Sequence, residues 1–421
     1  MHLMNHMQAT IAVIGGGASG LVAAIEAKKR LSSHDTVVII EQNSRVGKKI
    51  LASGNGRCNF GNLDITVSHY HSSIQNLSEI LMGYPGASAY FHELGVLCRE
   101  EFGRLYPYSN HASAILDALR LSAQSLAITT LLETKVLQLE VQDKTIILFC
   151  SNQLKIEVSA VIYAAGGCAA PTLGTDGSSY HLLEQVGHHI LPLTPALSPI
   201  YTDSTLLHGL KGIRAHAKVS AIDQNGKSLQ QEVGEIQFTE KALSGVCVFN
   251  LSGFCQEKNT PVQWISLDLL PDYSQDQVEL LLWEVYAIRT QQTLENFLTG
   301  LFQKRLAVQL IRQSRIPHKL TDFIYHCTQQ DIQTLAKQIK DWRFPITGIA
   351  PWNQAQVSAG GVPGYEVTDT LESKFLPNLW IVGEALDVYG VCGGYNLNWA
   401  WASGYCAAEA AVKKIKEEAS L

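Results

Sequence analysis

The chain has 421 residues, 46% of them hydrophobic and 17% charged, which excludes a disordered chain and fits a folded protein with a large core. Lys and Arg number 32 against 38 Asp and Glu, a formal net charge of -6 that gives no electrostatic case for nucleic acid or an anionic membrane surface. At roughly 100–200 residues per domain, the length predicts two or three domains. No secretory pattern and no run of about 18 apolar residues is present, so a cytoplasmic protein without a membrane span is expected. Nine cysteines at irregular spacing, with no CxxC pair, read as reduced thiols without a local dithiol redox centre.

In chain order, Ile11-Ala12-Val13-Ile14 is a short apolar strand running into Gly15-Gly16-Gly17-Ala18-Ser19-Gly20. A helical pattern covers 21–31, and Thr36 to Ile40 reads as a second buried strand ending at Glu41. Together these predict a βαβ unit on a parallel sheet. Residues 48–62, rich in Gly, Asn and Ser, are expected to form a loop. A helix is predicted over 111–127 and strands over 134–150 and 155–165, the last ending at Ala164-Ala165-Gly166-Gly167. Pro192, Pro195 and Pro199 mark a change of pattern: 212–270 is strand-like and 277–339 is leucine-spaced and helical. After Pro345 the chain returns to glycine-rich loops, one strand at Leu379 to Val382, and a final helix. Residues 191–344 therefore read as an insertion into a domain made of 1–190 and 345–421, an α/β, Rossmann-type fold.

Gly15, Gly17 and Gly20 form G-x-G-x-x-G between a strand and a helix, with an acid closing the next strand. That context, rather than the glycines alone, marks a dinucleotide site. Gly15 permits the turn, Gly17 admits a pyrophosphate, and Gly20 lets helix and sheet pack closely. Ala18 and Ser19 lie at the open helix end, whose N–H groups and partial positive charge suit phosphate. Glu41, with Gln42 beside it, can accept from ribose hydroxyls. The fingerprint does not separate FAD from NAD.

A second cluster, Gly47 to Asn59, follows the acid. Ser53, Gly54, Gly56, Arg57, Cys58 and Asn59 permit close backbone approach to a ligand, and Arg57 can meet a phosphate or the pyrimidine edge of a flavin. Lys48 and Lys49 read as solvated, although Lys49 falls in the stretch counted as cofactor-binding. A third cluster runs from Gly383 and Glu384 through Asp387 to Gly394, Tyr395 and Asn396. Asp387 can bind ribityl hydroxyls. A helix starting at Tyr395 can turn its N–H groups toward a flavin N1–C2=O edge and hold the reduced anion.

On GKKILASGNGRCN (47–59), FGRLYPYSNHASAILDAL (102–119), YAAGGCAAPTLGTDGSSYHLLEQVGH (163–188), GEIQFTEKALSG (234–245), VSAGGV (357–362) and GEALDVYGVCGGYNLNWAWASG (383–404), the chain resembles the FAD-dependent oxidoreductase family that includes aminoacetone oxidases and bile-acid 3-dehydro-Δ4,6-reductases. The resemblance covers nearly the whole chain. It implies a discontinuous FAD domain with a β-barrel-like insertion (191–270) and a helical insertion (271–344). It also implies FAD contacts at the three clusters, at the Val136 backbone and at Ala165-Gly166. Asn55 departs from the pattern, sitting where glycine is commoner. The family does not transfer a substrate.

No second G-x-G-x-x-G follows a strand, so NAD(P)H, as transient donor, would reach the flavin from the cleft beside the insertion, where a small-molecule substrate is also expected. Zinc spacings and G-x-S-x-G are absent, and no metal is expected. His188-His189 reads as surface or core rather than a ligand pair. Tyr395, Arg57 and Asn59 are the catalytic candidates, Tyr395 as a proton donor, with a packing role for it equally open; Cys58 reads as a packing thiol before a redox one. The expected reaction is hydride transfer between flavin N5 and a small organic substrate, with NAD(P)H or oxygen as the other partner. An amine or aminoketone oxidase, or a flavoprotein of the tRNA-modifying or non-catalytic type, is the alternative. Oligomeric state is not legible.

Overall fold

The apolar run at Ile11–Ile14 sits at the centre of a sheet covered on both faces, which is why it lacks polar alternation. In the computed structural model, which describes residues 5–142, 145–255 and 262–420, strand β1 (Asn5–Ile14) pairs in parallel with β2 (Val37–Ile40) and with strand Leu154–Tyr163. Ile14 lies opposite both Ile40 and Tyr163, so the C-terminal ends of three parallel strands meet at one edge. Thr129–Leu131 extends the sheet beyond β2, and Leu379–Ile381 joins strand Leu154–Tyr163 in parallel. Thr145–Cys150 and Val136–Gln142 complete it as antiparallel strands.

Helix α1 (Ala18–Arg30) covers one face, and the C-terminal helix Tyr395–Ala419 crosses it closely: a β-carbon on Gly404 would lie 2.4 Å from the Ser19 carbonyl oxygen. Two short antiparallel pairings bring distant segments together at the same edge. Tyr70–Ser72 pairs with Val388–Gly390, and Gly61–Asn62 pairs with Arg104–Pro107.

The chain divides into two compact units, one running to Thr194 and resuming at Gln356, the other Pro195–Ala355. The second holds a closed six-stranded antiparallel barrel. Its hairpin from Arg214–Asp223 to Ser228–Phe238 turns on Asp223, whose Oδ1 accepts from the N–H groups of Asn225 and Lys227 at 2.8 Å each. Ile200, Val219, Ile236, Phe238, Leu267 and Phe344 belong to its buried core. Helices Gln275–Arg289 and Gln329–Lys340 open on capping boxes, Ser274 with Gln277 and Thr328 with Asp331.

Three expectations change. Residues 48–52 form a short helix and 53–56 a 3-10 turn, where a loop is expected. The strand-like stretch 212–270 contains a helix, Val246–Phe254, whose mostly apolar sequence, broken by Asn250 and Ser252, shows no one-sided apolar stripe. The sixth barrel strand, Trp342–Ile349, follows the helices, so the barrel is not complete by residue 270 and the inserted unit runs past 344. Pro345 masks that strand in sequence, yet it sits opposite Trp264 in the barrel.

Candidate cofactor site

The turn after β1 is built by glycines for different reasons. Gly15 has φ +103, and a β-carbon there would lie 2.5 Å from the Ala164 carbonyl oxygen and 3.0 Å from Ala165 Cα. Ala165 and Gly166 are thereby brought against the turn. Gly20 packs so tightly that a β-carbon would fall 1.9 Å from the Gly15 oxygen. Gly17 differs: it is the N-cap of α1 in an extended conformation, and the space its side chain would take is empty to 4 Å. No side chain caps α1 and no acid lies in its first turn. The N–H groups at Ala18, Ser19 and Gly20 therefore face this space without an intrahelical partner. An anion such as a pyrophosphate fits there. Gly383 (φ +67) closes the same end, since its β-carbon would lie 2.6 Å from Ser19 Oγ.

Glu41 is 7% exposed and pinned in place. Its Oε2 accepts from the Gly16 N–H at 2.9 Å, and Oε1 accepts from the Asn43 backbone N–H at 2.8 Å and side-chain amide at 2.6 Å. An ionised carboxylate has about four acceptor directions, so one remains on Oε2, the side facing the turn. Gln42 is turned away and donates to the Gly174 carbonyl at 2.6 Å. Thr134 N–H donates to the Glu41 carbonyl at 2.9 Å, which sets the buried Val136, two residues on, beside the same strand end.

Around Glu384 lies a network that sequence reasoning only partly anticipates. Lys49 Nζ is 2.7 Å from Glu384 Oε2, so this lysine is an ion-pair partner rather than a solvated one. Glu384 Oε1 accepts from the Ser358 N–H at 2.8 Å and hydroxyl at 2.9 Å, and Ser358 Oγ accepts from the Cys168 N–H at 2.7 Å. Ser358 and Asn43 are the residues missed. Ser358 lies within VSAGGV, but a serine before two glycines carries no signal of its own. The Asp387 carboxylate has no partner among the described residues, while its backbone carbonyl accepts from Ser73 N–H at 3.2 Å.

At the far end of the groove of glycines, Gly394 (φ +94) is the N-cap of helix Tyr395–Ala419, which no side chain caps. A β-carbon on Gly394 would lie 2.4 Å from the Gly61 oxygen and 2.7 Å from Asn59 Oδ1. That Asn59 oxygen is buried and has no hydrogen-bond partner. An orphaned acceptor beside an uncapped helix N-terminus fits the polar pyrimidine edge of a flavin, which offers both a ring N–H and carbonyl oxygens. Tyr395 is buried, stacked on His69 with ring centroids 4.5 Å apart and edge-on to Tyr70 at 5.8 Å. Burial, with the Asp64 carboxylate nearby, pushes its hydroxyl up. The Asn396 side chain is engaged by the Gly390 backbone, accepting at 2.8 Å and donating at 2.7 Å, so it shapes the turn before the helix. Trp399 and Trp401 donate to the Gly383 and Phe60 carbonyls as packing residues.

The second cluster supplies backbone more than side chains. Arg57 is engaged within the protein: its guanidinium meets both Glu101 oxygens at 2.7 Å and Asn110 Oδ1 at 2.6 Å, and lies 4.2 Å over the Tyr106 ring. Ser53 Oγ donates to the Ile50 carbonyl. Gly54 (φ +56) sits against the Asn59 N–H, and Gly56 faces open space. Cys58 is fully buried at φ +58, and burial pushes its thiol up to about 12. A neutral, buried thiol is the unreactive form of cysteine. Among the described residues no group of three or more His, Cys, Asp or Glu is arranged to hold a metal, and no helix is long and apolar enough to cross a membrane.

The sequence is 35% identical over 413 residues to a 3-dehydro-bile acid delta(4,6)-reductase of Clostridium scindens, covering 96% of this chain and 99% of that one. It is 30% identical over 406 residues to a ribosomal RNA dihydrouridine synthase of Haemophilus influenzae, covering 94% and 96%. Among solved structures, 3-ketosteroid delta1-dehydrogenase from Sterolibacterium denitrificans shares the fold with a TM-score of 0.51 at 12% identity, covering 97% of this chain and all of that one. The HI0933-like protein Rossmann domain matches residues 9–410, and the chain belongs to that family as an FAD-dependent oxidoreductase.

Proposed function

We propose that the protein reduces the C=C bond of a small α,β-unsaturated carbonyl compound, with NAD(P)H as the electron source. The observation that carries this reading is the 35% identity to a reductase over 96% of this chain and 99% of that one. Bound FAD would supply two-electron hydride chemistry at N5. The chain's own residues would do the rest. The free N–H groups at Ala18–Gly20 and the Glu41 carboxylate would hold the dinucleotide half, and Asp387 would take ribityl hydroxyls. Asn59 Oδ1 and the N-terminus of helix Tyr395–Ala419 would face the pyrimidine edge, where a helix end of about half a positive charge favours the reduced anion. Tyr395, fixed by its stack on His69 and by Tyr70 donating to its carbonyl at 3.1 Å, would line the substrate side.

A second reading is favoured by the 30% identity to the dihydrouridine synthase: the unsaturated ring would then be a uracil within RNA. The net charge of -6 favours the free small molecule. One experiment separates them. Anaerobic NADH or NADPH is added to the flavin-loaded protein, followed by a 3-oxo-4-ene steroid or by ribosomal RNA lacking dihydrouridine. The reading expects the flavin band to bleach within seconds and to return with the steroid. Return with RNA alone moves the assignment to the second reading. No bleaching, with oxygen consumed on adding an aminoketone, replaces both with an oxidase.

A further inference from the structure

We infer that His69 is the acid that protonates the substrate α-carbon, with Asp64 as its positioning residue. This rests on the reductase reading, and it holds for a 3-oxo-4-ene ring and a uracil ring alike, since both are α,β-unsaturated carbonyls.

Hydride addition to the β-carbon forms a C–H bond, breaks the C=C π bond and leaves its electrons on the α-carbon and carbonyl oxygen as an enolate. The electrons come from the NAD(P)H of that reading. The second hydrogen must arrive as a proton at the α-carbon, from a group bordering the cradle that solvent can recharge. His69 meets these demands. Its imidazole stacks on Tyr395, the first residue of the helix that faces the cradle, with ring centroids 4.5 Å apart and planes at 27°. Nε2 lies 3.0 Å from Asp64 Oδ2, while Nδ1 has no hydrogen-bond partner among the described residues. The carboxylate on Nε2 fixes the ring and stabilises the imidazolium, leaving the Nδ1–H to be given. His69 and Asp64 side chains are 30% and 67% exposed, so bulk water restores the proton.

The neighbouring groups are poorer acids. Burial pushes the Tyr70 hydroxyl up and commits it to the Tyr395 carbonyl. The Tyr395 hydroxyl is pushed up as well, and Arg104, whose charge bears on Tyr395, does not release its proton. Histidine is the side chain whose ordinary titration falls between pH 5 and 8.

The test uses flavin-loaded wild type, His69→Gln and Asp64→Asn, with the two half-reactions followed separately by stopped flow. His69→Gln is expected to bleach with NADPH within about 2-fold of wild type and to be reoxidised by the 3-oxo-4-ene steroid about 100-fold more slowly, the scale of a lost general acid. Wild-type reoxidation falls as pH rises and His69→Gln shows a flat profile, while Asp64→Asn slows reoxidation about 10-fold with bleaching unchanged, a smaller loss than that of the acid itself. Wild-type reoxidation rate and pH limb retained in His69→Gln would overturn the assignment alone. A wild-type reoxidation rate in the exposed Asp64→Asn overturns it too, should His69→Gln lose its flavin. A wild type that bleaches but is reoxidised by neither steroid nor RNA overturns the reductase reading, and this inference with it.

Discussion

The carboxylate of Glu41 takes the backbone N–H of Gly16 at 2.9 Å, so the end of β2 is latched across the turn that opens α1. The same oxygen keeps a free acceptor direction. Glu41 therefore builds the turn and keeps an acceptor free beside it.

Glu41→Ala removes both roles. The Gly16 and Asn43 N–H groups lose their acceptor, and ribose hydroxyls lose theirs. Hydrogen bonds to charged groups contribute about 1.5–3 kcal/mol each, so FAD should bind about 10- to 100-fold more weakly. The flavin-to-protein ratio after gel filtration measures this. A variant that purifies with full flavin would show that the acid does not contact the cofactor.

Gly17→Ala and Gly20→Ala form a contrasting pair within one fingerprint. At Gly17 the added methyl enters empty space at φ -82, which any residue adopts, so the melting temperature of flavin-free protein should stay put, within about 0.5 kcal/mol. Flavin affinity should fall, because that space is where the pyrophosphate would sit. At Gly20 the methyl would be 1.9 Å from the Gly15 oxygen, and helix and strand must separate at a cost of about 1–3 kcal/mol or more. Equal loss of stability in both variants would remove the distinction drawn between them.

Labelling tests the second cluster. Cys58 is fully buried with its thiol pushed up to about 12, so at pH 8 it is neutral and out of reach. Iodoacetamide should leave Cys58 unmodified in the native protein and modify it in denaturant, as read by peptide mass analysis. Rapid native labelling of Cys58 would mean that the 53–59 segment opens.

Sequence carries the parts of this site that depend on backbone. A strand, three glycines, a helix and an acid at a distance of about 20 residues leave few alternatives, because the turn and the helix end work through N–H groups rather than through side-chain partners. Side-chain engagement is not legible in the same way. The partners of Arg57, Glu101 and Asn110, are not encoded by any spacing, and Lys49 reads as solvated until Glu384 arrives from the other end of the chain. Ser358 and Asn43 act through single hydrogen bonds that no spacing encodes. Helix Val246–Phe254 is hidden for a different reason: its apolar residues are spread round the helix and leave no one-sided stripe to read. Gly245 before it (φ +113) marks the turn, its β-carbon position lying 2.4 Å from the Glu235 oxygen.

His188 shows what an adjacent histidine pair does when it is not a ligand set. Its ring is buried between two partners, Nδ1 at 2.9 Å from Glu366 Oε2 and Nε2 at 2.8 Å from Ser373 Oγ. Burial holds its pKa below the ordinary 6.5, outweighing the pull of Glu366. Burial alone would raise Glu366, but hydrogen bonds from His189 and His188 outweigh it and hold that carboxyl below 4.5. Both shifts act in one direction. Below pH 6.5 the unfolded chain protonates this histidine while the folded one resists, so the unfolded state binds more protons and stability falls. The Glu366 contribution, present above 4.5, is lost later, as pH drops through its folded value. The melting temperature of wild type should therefore decline from pH 7 to 5 and more steeply below. His188→Gln should cost about 2 kcal/mol at pH 7, because the neutral ring's hydrogen bonds to the Glu366 carboxylate and Ser373 are lost or weakened. It should also flatten the decline between pH 6.5 and 5, the part to which His188 contributes and Glu366 does not. Thermal unfolding of both proteins across that range measures the slope, and an equally steep decline in His188→Gln would place the acid sensitivity elsewhere in the fold.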